Sequence, residues 1–254
     1  MNICVFDTET TSLNKPFCYN IGYLIIDTET HNILLKREYV IEQIWHNLEL
    51  FSTAYYAEKR KFYITEMRIK KIILEKFGYV TQQMKRDFKN FEVEIAFAYN
   101  SPFDERVFEF NCEWFKCINP FDNVAIKDIR AFFIDKYGYT DEFKTFCEQY
   151  ELFTDSGNYS TSAETAFKFL TNNSEFVEAH TALNDSEIET TILNFCYETD
   201  DDLKVEFDSV PKSIPKKVVK TSTIKLDGEE LLTVDYSTVW KNKDLSKITF
   251  KIVS

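Results

Sequence analysis

NICVFDTETTSL, residues 2–13, begins with a short apolar run and continues into the acidic tetrapeptide Asp-Thr-Glu-Thr. The apolar run predicts a buried β-strand over residues 2–7, and Asp7 and Glu9 lie at its end. Residues two apart in a strand point to the same face, so these carboxylates repel each other unless a divalent cation lies between them. Acidic pairs with this spacing are also common on exposed strands, so the stretch alone does not identify a metal site.

The same four letters recur in YLIIDTETHNILL, residues 23–35. Here Asp27 and Glu29 lie between two apolar stretches, 20–27 and 32–41. The separation of about five residues predicts an antiparallel hairpin, and polar residues at this point are typical of a turn, where they bind the nearby backbone. We therefore expect Asp27 and Glu29 to be exposed and dispensable for activity.

Downstream of residue 43, strand-like and helix-like patterns alternate. We expect one or two amphipathic helices in the basic and aromatic segment 44–77, strands at 94–99 and 122–128, and helices near 81–91, from 104, and near 129–136, 141–150, 161–170 and 184–197. The pattern predicts an α/β fold with a mixed sheet.

Several residues in these helices have expected local roles. One stripe of the helix from 104 should carry Val107, Phe110 or Asn111, and Trp114. Thr161 and Glu164 should form a capping box at the start of their helix. The last helix should bury Ile188 and Ile192, together with Phe195 or Cys196.

Charge is spread unevenly along the 254 residues, whose net charge is −12. Residues 44–90 carry a net +5, residues 91–203 a net −17 and residues 204–254 a net +3. One interpretation is ordinary solvated surface charge. The other is an acidic body that holds metal ions, with basic segments that bind a polyanion. The acidic run at 198–202 is expected to link residues 1–200 to a small β-rich appendage at 201–254, with a hairpin turn at Asp227-Gly228.

The sequence contains no run of about 18 apolar residues, so we expect no membrane span. The N-terminus lacks the pattern of a secretory signal. The six cysteines form no CxxC pair, and no histidine lies near Cys112 or Cys117 at zinc-ligand spacing. We therefore expect buried, reduced thiols and a cytoplasmic location.

Two later stretches carry further acidic residues. In AFAYNSPFDERVF, residues 96–108, a buried strand ends at Asn100 and Asp104 opens the next helix. In EAHTALNDSEIETTIL, His180 lies on the approach to the last helix and Asp185 in its first turn, so both can face one cleft. An Asp at a helix start also has a purely structural explanation.

FDTETT, AYNSPFD and HTALND resemble, in order and local context, the three motifs of the DEDD exonucleases, and the HxxxxD form resembles their DnaQ-like branch. The resemblance covers residues 1–198. It implies 3′–5′ exonuclease activity and an RNase H-like fold with a mixed five-stranded sheet flanked by helices. The helical insertion at 44–77 is longer than the connection usual in the family, and the C-terminal appendage lies outside the resemblance. The implied ligands of two Mg²⁺ or Mn²⁺ ions are Asp7, Glu9, Asp104 and Asp185, with His180 as the general base.

Substrate contacts transfer from the family less directly. Thr10 and Leu13 are expected to contact the 3′-terminal nucleotide and Asn100 to bind the terminal phosphodiester, although Ser12 replaces the glycine usual in the family. The insertion either guides single-stranded nucleic acid or buries its aromatic residues in a small core of its own.

Single-stranded DNA is the expected substrate and partner. An exoribonuclease with the same chemistry and a non-catalytic nucleic-acid-binding module remain alternatives, because discrimination of RNA depends on contacts to the 2′-OH. No membrane interaction is expected. A replication protein and a second copy of the chain stay open as protein partners.

Overall fold

The computed structural model of the protein describes residues 1–216, 219–226 and 229–237. Its strands are β1 (Asn2–Thr10), β2 (Cys18–Asp27), β3 (Ile33–Ile41), β4 (Ile73–Glu75), β5 (Ile95–Ala98), β6 (Ala125–Asp128), β7 (Tyr159–Ser160), β8 (Ser213–Ile214), β9 (Val219–Leu226) and β10 (Glu229–Ser237). Its helices are α1 (Glu42–Trp45), α2 (Leu48–Phe51), α3 (Arg60–Arg68), α4 (Phe77–Asn90), α5 (Ser101–Phe115), α6 (Ile129–Phe133), α7 (Asp141–Gln149), α8 (Ala163–Thr171) and α9 (Ala182–Cys196), with 3₁₀ turns at Ala57–Lys59 and Asp202–Lys204 and a π turn at Ile134–Gly138. None of the helices in these described ranges is long and apolar enough to cross a membrane.

The central sheet has the strand order β4-β3-β2-β1-β5-β6. Strand β2 is antiparallel to β1 and β3, whereas the other neighbouring pairs are parallel. This confirms the predicted mixed α/β sheet and the 20–41 hairpin, but the expected number of five strands is wrong. The sixth strand, β4, comes from the insertion and pairs with the end of β3. Without β4, the order and directions are those of an RNase H-like sheet.

Strand β1 is three residues longer than predicted, because its pairing with β2 continues through the polar tetrapeptide. Asp7 pairs with Gly22 and Glu9 with Asn20. On the other side of β1, the parallel ladder with β5 ends at Val5. Beyond Val5, one edge of the central strand is therefore open, and the acidic pair lies at this opening.

Alternating residues of β1 contribute to two hydrophobic cores. Cys4 and Phe6 pack in a core that includes residues of α4 and α5, and Ile3 and Val5 pack in a core that includes α6 and α9. Because side chains alternate along a strand, Asp7 and Glu9 point to the α9 side. The same alternation directs Thr8 to the α5 side.

One expected helix face needs correction, and one open alternative is decided. Helix α5 begins three residues earlier than predicted and buries Val107, but Trp114 is 61% exposed. Trp114 lies in the last turn of α5, where its exposed ring makes an edge contact with the buried ring of Phe17. In α9 it is Cys196, not Phe195, that faces the core.

The insertion consists of short helices and one strand, whereas one or two amphipathic helices were expected. Its aromatic residues Trp45, Phe51 and Tyr63 are buried. The rings of Phe51 and Tyr63 each contact Trp45 and also Tyr19 of β2. Tyr55 is different, because 85% of it is exposed. The insertion therefore adds its buried aromatic residues to the core on the α4 and α5 side of the sheet and also presents an aromatic side chain to solvent.

The capping box expected at Thr161 and Glu164 is wrong, because the N-cap of α8 lies one residue later than predicted. Ser162 is the N-cap of α8, and its hydroxyl accepts a hydrogen bond from the Thr165 amide at 3.2 Å. The Thr161 hydroxyl instead donates to the Lys212 carbonyl, and Glu164 accepts from the Lys168 ammonium at 2.7 Å.

The segment after α9 continues along the same body, since Leu203 and Ile214 are buried and β8 pairs with β7. Strands β9 and β10 pair in an antiparallel manner, whereas the Asp227-Gly228 turn expected between them lies outside the described residues. The division between residues 1–200 and 201–254 stays a prediction.

Gly22 is the point at which α9 meets the sheet. A Cβ atom at this position would lie 2.1 Å from the Leu183 amide nitrogen and 2.2 Å from the Ala182 carbonyl carbon. The Ser186 hydroxyl also donates to the Gly22 carbonyl at 3.2 Å. A side chain larger than hydrogen at position 22 would therefore push away the helix start that carries Asp185.

We predict that Gly22→Ala lowers the free energy of unfolding by about 3 kcal/mol or more, because overpacking against rigid backbone costs at least the upper end of the usual range. Chemical denaturation of the variant and the wild-type protein measures the difference.

The matched control is Gly78→Ala in α4, where the new Cβ would meet the Cys117 Cβ at 3.3 Å. Alanine is the better helix former, so we expect a change within about 1 kcal/mol. Equal effects of the two substitutions would contradict the close approach of α9 to β2.

Candidate active site

Three of the predicted site residues converge at the open end of β1. Glu9 of β1, Asp185 in the first turn of α9 and His180 in the preceding segment each offer a potential ligand atom, and these atoms all lie within 4.8 Å of one another. His180 and Asp185, which were predicted to face one cleft, thus lie close together in space. Asp7 and Asp104 do not belong to this group of three, although their charges act on it.

Asp104 lies in the first turn of α5 and is buried. The Thr8 hydroxyl of β1 donates a 2.6 Å hydrogen bond to its Oδ1 atom. Burial raises the pKa of Asp104 to about 7, and the hydrogen bond from Thr8 opposes the shift. The second residue of the tetrapeptide therefore fixes an acid from a distant motif.

The pKa values of the other acidic groups are raised by burial and by mutual repulsion. Burial, followed by the charge of Asp104, raises the pKa of Asp7 well above its usual range. Burial and the charges of Asp7 and Asp185 raise the pKa of Glu9 to about 10, while Lys59 lowers it. The pKa of Asp185 is raised to about 8, first by burial and then by the charge of Asp7. Such crowding is unfavourable for carboxylates without a cation.

The donor atoms fit a divalent metal ion. The Oδ1 atom of Asp185 is buried and has no hydrogen-bond partner among the described residues. Carboxylate oxygens are the hard ligands that Mg²⁺ and Mn²⁺ prefer. A cation would both satisfy this oxygen and remove the repulsion between the acids.

Glu189 is an acidic residue of the site that the sequence interpretation missed. It lies one helical turn after Asp185, is only 3% exposed, and its Oε2 atom has no partner among the described residues. Burial and then the charges of Asp7, Asp104 and Asp185 raise its pKa well above the usual range. Its spacing of i, i+4 from Asp185 is a sequence signal that places both on one helix face.

The sequence interpretation also missed Glu178, which lies beside His180. Burial, and then the charge of Asp185, raises its pKa to about 7. Its Oε2 atom lies 3.8 Å from the His180 Nδ1 atom. No helical or strand spacing could have identified Glu178 from the sequence, because residues 177–180 belong to neither a helix nor a strand.

Two insertion residues reach the site from outside the three motifs. The ring of Tyr56 stacks on the ring of His180, and the Lys59 ammonium donates to the His180 carbonyl at 3.2 Å. The basic charge of the insertion predicted a polyanion contact, but the sequence carries no signal for these two contacts. They depend on how the insertion folds back over the sheet.

A cleft of about 530 Å³ lies beside Glu9. It is lined by Thr8, Glu9, Thr10, Thr11, Ser12, Leu13, Thr53, Tyr55, Tyr56 and Phe103. Two predicted substrate contacts, Thr10 and Leu13, are therefore part of this cleft, and Leu13 is 71% exposed.

Asn100, the third predicted contact, does not line the cleft. Its Oδ1 atom accepts a hydrogen bond from the Arg130 guanidinium at 2.9 Å. Its backbone amide donates to Oδ1 of Asp128, which also caps α6. With φ of +64°, Asn100 is in a left-handed conformation that Asn tolerates better than most residues. The structure thus gives Asn100 a role at the junction of β5 and α5, and phosphodiester binding stays a prediction.

The second tetrapeptide forms a turn, as predicted. The Oδ1 atom of Asp27 accepts hydrogen bonds from the Glu29 and Thr30 amides at 2.9 and 3.0 Å. Glu29 is exposed, but Asp27 is half-buried and therefore less exposed than expected. These hydrogen bonds lower the pKa of Asp27, in contrast to the raised values of Asp7 and Glu9.

No protein-family model matches the chain, and no curated protein sequence matches it. Similar solved structures do exist. The nuclease domain of 3'hExo, a DEDDh family member bound to rAMP, is 13% identical with a TM-score of 0.45, over 76% of this chain and 90% of that one. E. coli exonuclease I in complex with a dT13 oligonucleotide is 16% identical with a TM-score of 0.49, over 76% of this chain. This chain spans about 40% of the length of exonuclease I. A 3'-exonuclease with 3'-end specific recognition of the histone mRNA stem-loop is 10% identical with a TM-score of 0.47, over 93% and 91% of the two chains.

The raised pKa values predict an unusual dependence of stability on pH. Glu9, Asp104, Asp185 and Glu178 have folded-state pKa values between about 7 and about 10, whereas unfolded carboxyl groups have values near 4. The folded protein therefore binds protons more tightly, and its stability is lost as the pH rises towards the folded values. We predict that, without divalent metal, the free energy of unfolding is higher at pH 5.5 than at pH 8.

Chemical denaturation at the two pH values in the presence of a chelator measures this effect. Saturating Mg²⁺ should reduce the difference, because the ion stabilises the deprotonated carboxylates. The variant Asp185→Asn should also reduce it, and Glu29→Gln, a change at an exposed acid, should not. A metal-free protein that is more stable at pH 8 would contradict the proposed crowding of the acids.

Proposed function

We propose that the protein is a metal-dependent 3′–5′ exonuclease that hydrolyses phosphodiester bonds of single-stranded DNA. The observation that carries the proposal is the convergence of Glu9, His180 and Asp185 within 4.8 Å, with Asp7 and Asp104 close enough to affect the group electrostatically. A histidine beside several crowded carboxylates is suited to metal-assisted hydrolysis. The 3′–5′ direction rests on the resemblance of the three motifs.

Asp7, Glu9, Asp104 and Asp185 are the proposed ligands of two Mg²⁺ or Mn²⁺ ions. When bound, such ions supply an activated water and stabilise the charge on the departing 3′ oxygen. The protein contributes the arrangement of the ligands: Asp7 and Glu9 share one face of β1, and the Thr8 hydroxyl orients Asp104. Helix α9 brings Asp185 to the same place.

His180 is the proposed general base. Burial, together with the nearby charge of Lys59, lowers its pKa, so the imidazole is neutral at pH 7 and can accept a proton from the attacking water. Its Nδ1 atom faces Glu178 at 3.8 Å, and we propose that Nε2 takes the proton. Glu178 would then stabilise the imidazolium that forms.

The cleft beside Glu9 is the proposed site for the terminal nucleotide. Thr10 offers a hydroxyl and Leu13 an apolar side chain at its border, and Tyr55 provides an exposed ring on which a base can stack. A role in DNA replication, with a replication protein or a second copy of the chain as partner, remains a proposal for the whole molecule. So does the division into an exonuclease domain at 1–200 and an appendage.

We predict that the protein shortens 5′-labelled single-stranded DNA stepwise from its 3′ end in the presence of Mg²⁺, and that a chelator abolishes the reaction. His180→Ala should lower kcat about 10²-fold to 10⁴-fold, the usual contribution of a general base, and Asp7→Ala should lower it at least as much. Matched RNA oligonucleotides and DNA blocked at its 3′ end, digested in parallel, test the substrate and the direction. Undiminished activity of both variants would contradict the assignment of the site.

The two copies of the tetrapeptide give an internal comparison. We predict that the double variant Asp27→Ala/Glu29→Ala keeps nuclease activity within about 2-fold of the wild type, because it changes only a turn. Thermal unfolding should reveal a modest loss of stability from the two missing Asp27 hydrogen bonds. Asp7→Ala, measured beside it, should retain its fold and lose activity. The reverse pattern would show that the catalytic acids are Asp27 and Glu29 of the second copy, and would contradict the assignment to Asp7 and Glu9.

A further inference from the structure

The Tyr56 ring lies flat on the imidazole of His180. The ring centres are 4.3 Å apart, and the planes differ by 11°. Tyr56 belongs to the insertion and immediately precedes the 3₁₀ turn Ala57–Lys59, whereas His180 belongs to the third motif. Residues that are 124 positions apart in the sequence therefore form one stacked pair in the site.

The backbone of His180 needs support from its surroundings. Its φ of +48° is in the left-handed region, which is unfavourable for residues other than glycine. The segment 177–181 before α9 has no helix or strand to hold it. The Lys59 ammonium donates to the His180 carbonyl at 3.2 Å and lies 5.1 Å from the centre of the Tyr56 ring. The insertion thus contacts His180 at both its backbone and its ring.

The ring of His180 has little else to fix its orientation. Among the described residues it makes no hydrogen bond. The Glu178 carboxylate lies 3.8 Å from its Nδ1 atom, and carboxylate atoms of Glu9 and Asp185 lie within 4.8 Å of a ring nitrogen. A histidine ring without a hydrogen bond can rotate about its side-chain torsions. Stacking against Tyr56 restricts that rotation, because only a parallel ring keeps the contact.

We propose that Tyr56 is a positioning residue that holds the His180 imidazole in its reactive orientation, with Lys59 fixing the backbone beneath it. The proposal rests on the proposed function and deepens it, since it makes the insertion part of the active site. The stack uses the face of the aromatic ring. Phenylalanine at position 56 should therefore keep the positioning role, and alanine should lose it.

Tyr56 also lines the cleft beside Glu9, so an alternative role is to stack on a nucleobase. The two roles differ in kinetics: a positioning residue changes kcat, and a binding platform changes KM. Tyr55 is the matched control, because it is adjacent, aromatic, exposed and lines the same cleft, but its ring is not stacked on His180.

The kinetic test compares Tyr56→Ala, Tyr56→Phe and Tyr55→Ala on single-stranded DNA with Mg²⁺. We expect Tyr56→Ala to lower kcat roughly 10-fold to 100-fold, a part of the full general-base contribution, with KM within about 2-fold. Tyr56→Phe should keep kcat within about 2-fold. Tyr55→Ala, which removes the proposed stacking ring for the base, should instead raise KM. A raised KM with normal kcat for Tyr56→Ala would overturn the proposal, as would equal losses in the Phe and Ala variants.

A second measurement does not depend on activity. The chain has three histidines, and the His180 ring resonance of the metal-free full chain can be assigned by its loss in His180→Ala. Stacking on Tyr56 should shift this resonance through the ring current. Tyr56→Ala should remove the shift, whereas Tyr56→Phe and Tyr55→Ala should keep it.

The two measurements separate the possible failures. An unchanged His180 resonance in Tyr56→Ala would contradict the stack, whatever the activity of the protein. A wild-type protein that shows the ring-current shift but no hydrolysis of DNA or RNA would contradict the proposed function and, with it, the positioning role.

Discussion

The arrangement of the site depends on the hydrogen bonds that the buried side chain of Asn20 makes. Its Oδ1 atom accepts hydrogen bonds from the Ala182 amide at 2.9 Å and the Tyr63 hydroxyl at 3.0 Å. Its amide group donates to the Tyr39 carbonyl and to Glu38. The first amides of a helix have no partner within the helix, and here a strand residue supplies one. Asn20 thereby joins β2, β3, the insertion and the start of α9, and Gly22 two residues later leaves room for the helix backbone.

Because α9 is attached at its first turn, its acidic residues are held against those of β1 despite their repulsion. Asp185 and Glu189 come from the helix, and Asp7 and Glu9 from the strand, at the place where β5 no longer pairs with β1. Hydrophobic packing of Ile188 and Ile192 further along the helix offsets the unfavourable charge at its start. The same arrangement therefore links the stability of the metal-free protein to pH.

Local patterns predicted most helices and strands of the central body, and failed where distant segments meet. The apolar run ending at Phe6 indicated a short strand, but backbone pairing with β2 carried β1 through its polar residues to Thr10. Trp114 fitted a helical stripe and still lies at the surface. Glu189 had a usable spacing signal, whereas the stack of Tyr56 on His180 had none.

The sequence by itself determined the identity of the acids, their attachment to strand ends and helix starts, and the turn at Asp27, because such features depend on residues only a few positions apart. Tertiary structure alone decided which of the two identical tetrapeptides carries raised pKa values. Asp27 is satisfied by amides two and three residues away, and its pKa falls. Asp7 and Glu9 meet buried acids from α5 and α9, and their pKa values rise. The difference arises because desolvation and charge repulsion depend on neighbours in space, which four identical letters do not specify.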